Sequence, residues 1–152
     1  MLRNQLNTYM AKQSHRKPPK PVSWNCARGT CRFCGEDIVE NDKINTRKHW
    51  HQACADVWKI MNDPKRARQV VSRRDKYTCQ VCGHHDRHGS FDVDHIKPLF
   101  EANGDHSYWQ APNLRLLCKP CHKVKTKEDM ERYHATRRAS NPETADHDQE
   151  TP

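Results

Sequence analysis

Asp94 and His95 are adjacent in the chain, and His122 directly follows Cys121. Asn113 lies between the two groups. A carboxylate and an imidazole together can hold a divalent cation and leave coordination positions open for a phosphate and a water. A second, neutral histidine can take the proton of that water at physiological pH. Phosphodiester hydrolysis needs this combination: an activated water, neutralised charge on the phosphorus centre and a stabilised leaving oxygen. One condition attaches to it. Strict strand alternation sends Asp94 and His95 to opposite faces, so both serve one site only where the strand ends or twists.

These residues sit among cysteines. Six of the eight cysteines fall in Cys-x-x-Cys pairs, a spacing that suits tetrahedral zinc better than a disulfide framework. Cys79-x2-Cys82 and Cys118-x2-Cys121 bracket Asp94, His95 and Asn113 and are expected to form a closed structural zinc site. Cys121 and His122 point about 100° apart on a helix. Cys121 can therefore face that zinc while His122 faces the strands. Cys31, Cys34, His51 and Cys54 make a second tetrahedral set, with Cys26 and His49 as spare ligands that leave its register open.

Composition fits a stapled domain. The chain has 152 residues, of which 34% are hydrophobic and 30% charged. So polar a small chain buries little core and depends on added cross-links or metals. No apolar stretch at the N-terminus reads as a signal peptide and none reads as a membrane span, so the expected compartment is the cytoplasm, with reduced thiols. The net charge is +8 and unevenly spread. Residues 1–20 carry five Lys or Arg and no acid; residues 21–63 carry six of each; residues 64–138 carry sixteen basic against nine acidic residues; the last fourteen carry four acids and no Lys or Arg. A basic body points to a polyanion, most often nucleic acid.

The elements that must position the chemistry follow from pattern. ADVWKIMND has helical apolar spacing, and PKRARQVVSRRD reads as a second helix with Pro64 in its first turn. SFDVDHI and NLRLLC read as strands, and HKVKTKEDMERYHATRR as a helix free of Gly and Pro. The expected class is small α+β, zinc-stapled, in the order strand, strand, helix. The expected organisation is a flexible basic arm over 1–23, a zinc-finger module over 24–63, the catalytic domain over 64–138 and a disordered acidic tail over 139–152. His84, His85 and His88 read as solvated loop residues, and Tyr108 and Trp109 as side chains packed under a loop rather than stacked on bases.

The string CQVCG…FDVDHIKPL…NLRLLCKPCHKVKT resembles the HNH endonuclease family, in the subgroup whose ββα-metal motif is stapled by a four-cysteine zinc. The resemblance covers about residues 66–127. It implies a metal-dependent endonuclease that hydrolyses DNA with one divalent cation (Mg2+, Mn2+, Ni2+ or Zn2+) and leaves 5′-phosphate and 3′-hydroxyl ends. By the family's pattern His95 is the general base, and Asp94 and His122 are the metal ligands. Asn113 orients His95, or in some members helps the metal. Lys123 and Lys125 become candidates to contact phosphate, with Arg73 and Arg74 on the preceding basic helix. A short stand-alone form of this kind is similar to phage or prophage enzymes, which would place it in a host cytoplasm. HWHQAC, preceded by CRFCG, resembles one zinc module of a LIM or treble-clef finger, suited to docking DNA or a protein partner or to holding residues 26–62 together. The competing reading is a zinc-finger DNA-binding or adaptor protein whose HNH-like module no longer cuts; the intact Asp94, His95, Asn113 and His122 speak against it.

Overall fold

The computed structural model describes residues 17–140. Most of the expected basic arm and acidic tail, residues 1–16 and 141–152, lies outside the described residues. The described elements are two-residue strands β1 (Val39–Glu40) and β2 (Lys43–Ile44), helices α1 (Gln52–Asn62) and α2 (Pro64–Arg74), strands β3 (Phe91–His95) and β4 (Leu114–Cys118), and helix α3 (Lys119–Ser140), joined by short 3-10 turns.

Each helix starts where its sequence allows. Asp63 caps α2, its carboxylate accepting from the backbone N–H groups of Lys65 and Arg66, and Pro64 fills a first-turn position where no N–H is missed. Pro120 likewise sits in the first turn of α3, so the helix begins at Lys119 without a break after β4. It runs on to Ser140, so residues 139 and 140 are its last turn rather than the start of a tail.

β3 and β4 are antiparallel, with Phe91 opposite Cys118, Asp92 opposite Leu117, Asp94 opposite Arg115 and His95 opposite Leu114. α2 packs on one side of this hairpin and α3 on the other. β4 is therefore buried on both faces, which is why LRLLC is apolar at consecutive positions: Leu116 and Leu117 have no exposed surface. Ala67 and Val71 of α2 join Phe91, Leu114, Leu116 and Leu117 in one core that also holds Cys79 and Cys118. The strands that carry the chemistry are thus fixed by one helix below and one above.

A buried charge locks α2 to this hairpin. Asp75 accepts from the Leu116 backbone N–H at 2.8 Å and from Arg74 Nε at 2.7 Å. Arg74 also donates to the carbonyls of Ala111 at 2.6 Å and Leu114 at 2.5 Å. Arg74, expected on a DNA-facing ridge, is a clamp on the backbone before and in β4. A guanidinium next to carbonyls that lack strand partners satisfies them better than water would. Asp75→Ala is expected to cost about 3–5 kcal/mol by leaving the Leu116 N–H and Arg74 without their acceptor. A urea midpoint within error of the parent's would refute this clamp.

The N-terminal module is attached rather than tethered. Trp24, Trp50 and Trp58 lie against one another with ring centroids 5.4 to 6.0 Å apart. Phe33 meets Trp58 and His106, and Phe33, Val57 and Trp58 pack on Met61, Leu99, Ala102 and Trp109 of the second core. Trp109 is buried there, under the loop as expected. The described end of the expected flexible arm is packed too. Pro18 and Pro21 are buried, Lys20 lies over the Trp24 ring, and His106 Nε2 is 2.7 Å from the Pro19 carbonyl oxygen. Prolines have little conformational freedom to lose on docking, and the basic side chains reach past them to aromatic faces.

Candidate active site

Two closed metal-binding groups frame the molecule: Cys79, Cys82, Cys118 and Cys121, and Cys31, Cys34, His51 and Cys54. In each, the four ligand atoms lie within 4.8 Å of one another. Zinc–sulfur bonds of about 2.3 Å in a tetrahedron put two thiolates about 3.8 Å apart, and the Cys82 and Cys118 sulfurs are 3.7 Å apart. In the N-terminal group His51 Nδ1 lies 3.4 Å from Cys34 Sγ and 3.9 Å from Cys54 Sγ. Its other nitrogen meets the Asp37 carbonyl at 3.2 Å, which leaves Nδ1 turned to the sulfurs. Of the candidates the sequence left open, the fold brings Cys31, Cys34, His51 and Cys54 together. Cys26 points instead at the Thr30 carbonyl, 3.1 Å away, and His49 is outside the group.

The two groups share one construction. Cys31-x2-Cys34-Gly35 and Cys79-x2-Cys82-Gly83 are equivalent turns. In each the glycine has positive φ and its N–H bonds the carbonyl of the first cysteine, and the first cysteine's N–H bonds the carbonyl five residues on. Each turn is followed by a hairpin and then by a helix, and the other two members of the group lie just before the helix start and in its first turn. Gathering four sulfurs splits their proton affinities. Burial opposes ionisation of Cys79, but N–H groups of the Cys82, Cys118 and Val81 backbone outweigh it and bring the thiol down to about 6. The neighbouring sulfurs of Cys118 and Cys82, then burial, push Cys121 up to about 12.

Asp94 and His95 stand at the end of β3 and His122 in the first turn of α3. Asp94 lies inside β3 with His122 of α3 nearby, and His95 is the last residue of the strand. His122 is one residue beyond Cys121 of the cysteine group and turns to the strand instead. Its Nε2 is 3.9 Å from Asp94 Oδ1 and its Nδ1 donates to Asp92 Oδ2 at 2.9 Å. Metal–ligand bonds of about 2.1 Å allow one cation to bridge Asp94 and His122. His95, His122 and Asp92 line one cleft of about 480 Å³, with Lys65, Arg68 and Trp109 also on its wall.

Electrostatics separate the groups by role. Burial, reinforced by the nearby Lys125 ammonium, brings His95 down to about 4, so its imidazole is neutral at pH 7. Burial pushes the Asp94 carboxyl up, against the pull of Lys125, His122 and Arg115. Arg115, directly across the ladder, reaches Asp94 Oδ2 at 3.5 Å.

Three expectations change here. Asn113 does not bond the His95 ring. Its Oδ1 accepts from the Lys97 N–H at 2.9 Å, and its Nδ2 donates to the carbonyls of Lys97 at 3.0 Å and Tyr108 at 2.8 Å. A buried amide must satisfy both its ends, and the chain leaving β3 offers the partners. Asn113 therefore ends the strand at His95 and holds that residue through the backbone. Lys125 is buried and paired with Asp129, one turn on, so it is not a projecting phosphate contact. Arg74 is the clamp described above. Lys123 and Arg73 are exposed and free of these ties. Sequence reasoning passed over Asp92, although the period of two that places it beside Asp94 was readable.

A cysteine-knuckled hairpin followed by a helix carries Asp94, His95 and His122. Residues 79–128 match the HNH endonuclease family. A probable HNH endonuclease of Lactococcus phage SK1 is 43% identical over 65 residues, which cover 40% of this chain and 66% of the phage protein. The chain thus spans just under two thirds of that relative's length. No solved structure matches. No described helix is long and apolar enough to cross a membrane.

Proposed function

We propose that the chain is an endonuclease that hydrolyses DNA phosphodiester bonds, with His95 as general base and one divalent cation held by Asp94 and His122. The observation that carries this reading is a neutral imidazole, His95, lining the same cleft as His122, whose Nε2 faces the Asp94 carboxylate. His95 accepts the proton of the attacking water, which its depressed basicity leaves it free to do at pH 7. A bound divalent cation supplies charge neutralisation at the phosphate and stabilisation of the leaving oxygen. Asn113 keeps His95 at the strand end, and Lys65 and Arg68 flank the cleft as cations suited to a polyanionic backbone. Lys123 and Arg73 are the exposed candidates for further phosphate contact. The two Cys-rich groups hold zinc in a structural role, because four soft ligands close the coordination sphere and leave no position for a substrate.

The test is cleavage of supercoiled plasmid by the purified chain with Mg2+, Mn2+ or Ni2+, with and without chelator. Cleavage that requires the added ion and stops on chelation is the expected result. DNA binding with no cleavage under any of these ions would instead make the chain a catalytically silent DNA-binding or adaptor protein.

A further inference from the structure

Asp92 has no place in the chemistry described so far, yet it is the most heavily bonded carboxylate facing the cleft. Its two oxygens accept from Lys119 Nζ at 2.8 and 3.0 Å, and Oδ2 accepts from His122 Nδ1 at 2.9 Å. Lys119 and His122 both belong to the first turn of α3, while Asp92 belongs to β3. Asp92 therefore ties the helix start to the strand at the point where His122 must be aimed.

An imidazole has two nitrogens, and in its neutral form only one carries a proton. A carboxylate is an acceptor only, so a bond from Nδ1 to Asp92 keeps the proton on Nδ1 and leaves the Nε2 lone pair bare. Nε2 is the atom that faces Asp94. Without Asp92 the ring is free to carry its proton on Nε2, where it could not ligate, and to rotate away from Asp94. The bond to Lys119 holds the carboxylate in place and favours its ionised form.

We infer that Asp92 is a positioning residue: it holds His122 in the Nδ1–H tautomer with Nε2 turned to Asp94, and so sets the affinity of the cleft for a divalent cation. This rests on the proposed cation site at Asp94 and His122.

Two measurements test it. Nitrogen NMR of the imidazoles at pH 8, on zinc-loaded protein stripped of other divalent ions, reads the tautomer without requiring cleavage or cation binding. The parent is expected to show His122 protonated on Nδ1, and Asp92→Ala to show a mixture or the other tautomer. Mn2+ titration followed by the EPR signal of the free ion reads affinity. Asp92→Ala is expected to weaken Mn2+ about 10- to 100-fold, whereas Asp92→Asn, which keeps an acceptor oxygen, recovers most of that loss. Lys119→Ala leaves the acceptor in place and is expected to cost less than Asp92→Ala. A parent His122 protonated on Nε2, or an Asp92→Ala protein that keeps the parent's tautomer and Mn2+ affinity, overturns the inference. Equal losses in Asp92→Ala and Asp92→Asn, with the tautomer unchanged in both, overturn it too, because Asp92 would then be a ligand. A parent with the Nδ1–H tautomer and no Mn2+ binding leaves the tautomer assignment standing, overturns its effect on affinity and removes the proposed cation site.

Discussion

Replacing His95 by alanine is expected to lower metal-dependent DNA cleavage by about 10²–10⁴-fold, with the fold retained. On the proposed roles, the substitution removes the base and little else. His95 pairs with Leu114 through the backbone ladder, and Asn113 secures the following turn through Lys97, neither of which involves the ring. Asp94 and His122 keep their positions, so Mn2+ should still bind while the rate falls. That split separates a lost base from a lost ligand. His122→Ala and Asp94→Ala should instead lose the cation and the activity together. The pH profile adds a second check. Since the ring is held down to about 4 rather than near 6.5, protonation of His95 in the free protein should not reduce cleavage between pH 5 and 7. Burial of a neutral imidazole also has a sign for stability. The unfolded chain binds the proton more readily, so stability rises with pH from about 4 to about 6.5 and is flat above. That rise should shrink in the alanine variant. A His95→Ala protein, free of contaminating nuclease, that cut as fast as the parent would remove the assignment.

Loss of the four-cysteine site should be more drastic still. Cys118→Ala, or extraction of zinc by a strong chelator, is expected to abolish the cooperative unfolding transition and the α3 helical signal. Structural zinc sites contribute about 10–16 kcal/mol in small zinc-finger peptides, comparable to the whole net stability of about 5–15 kcal/mol of a domain. Here the dependence has a visible cause. Cys79 precedes β3, Cys118 is the last residue of β4, and Cys121 is in the first turn of α3. One ion would hold both strands and the helix, while Cys79 and Cys118 themselves form part of the apolar core. His122 is aimed by the same helix start, so the active cleft should fail with the staple. Near-ultraviolet and far-ultraviolet circular dichroism through a thermal ramp decides it. A sharp melt that survives in Cys118→Ala, within a few degrees of the parent, would show that the apolar core suffices alone.

Most of this architecture was readable because its signals are local. Cys-x-x-Cys spacing, the alternation in FDVDH and the helix-forming run after Cys121 each depend on residues a few positions apart. Backbone geometry turns such spacings into a knuckle, a strand and a helix. The separation of Cys121 from His122 by the helical turn was equally local, and it does send one to the sulfurs and the other to the strands. Asp92 was within reach of the same logic, being two residues from Asp94 on one face of β3. The register of the N-terminal ligands was not: Cys26 and His49 compete on spacing, and only the position of His51 between Cys34 and Cys54 decides.

The sequence by itself determined the types and local placement of the chemical groups: Asp94, His95 and His122 around two cysteine knuckles, on a strand–strand–helix order. Tertiary structure decided what the long polar side chains do. Arg74, Lys125 and Asn113 read alike as surface or site residues, yet Arg74 clamps the backbone before and in β4, Lys125 turns inward to Asp129 beside the site, and Asn113 ends β3 at His95. The reason is that a long polar chain goes to whichever unsatisfied carbonyl, amide or carboxylate the packed fold leaves within reach. Those partners come from distant segments, such as α2 meeting β4 across some forty residues, and no local spacing encodes the meeting.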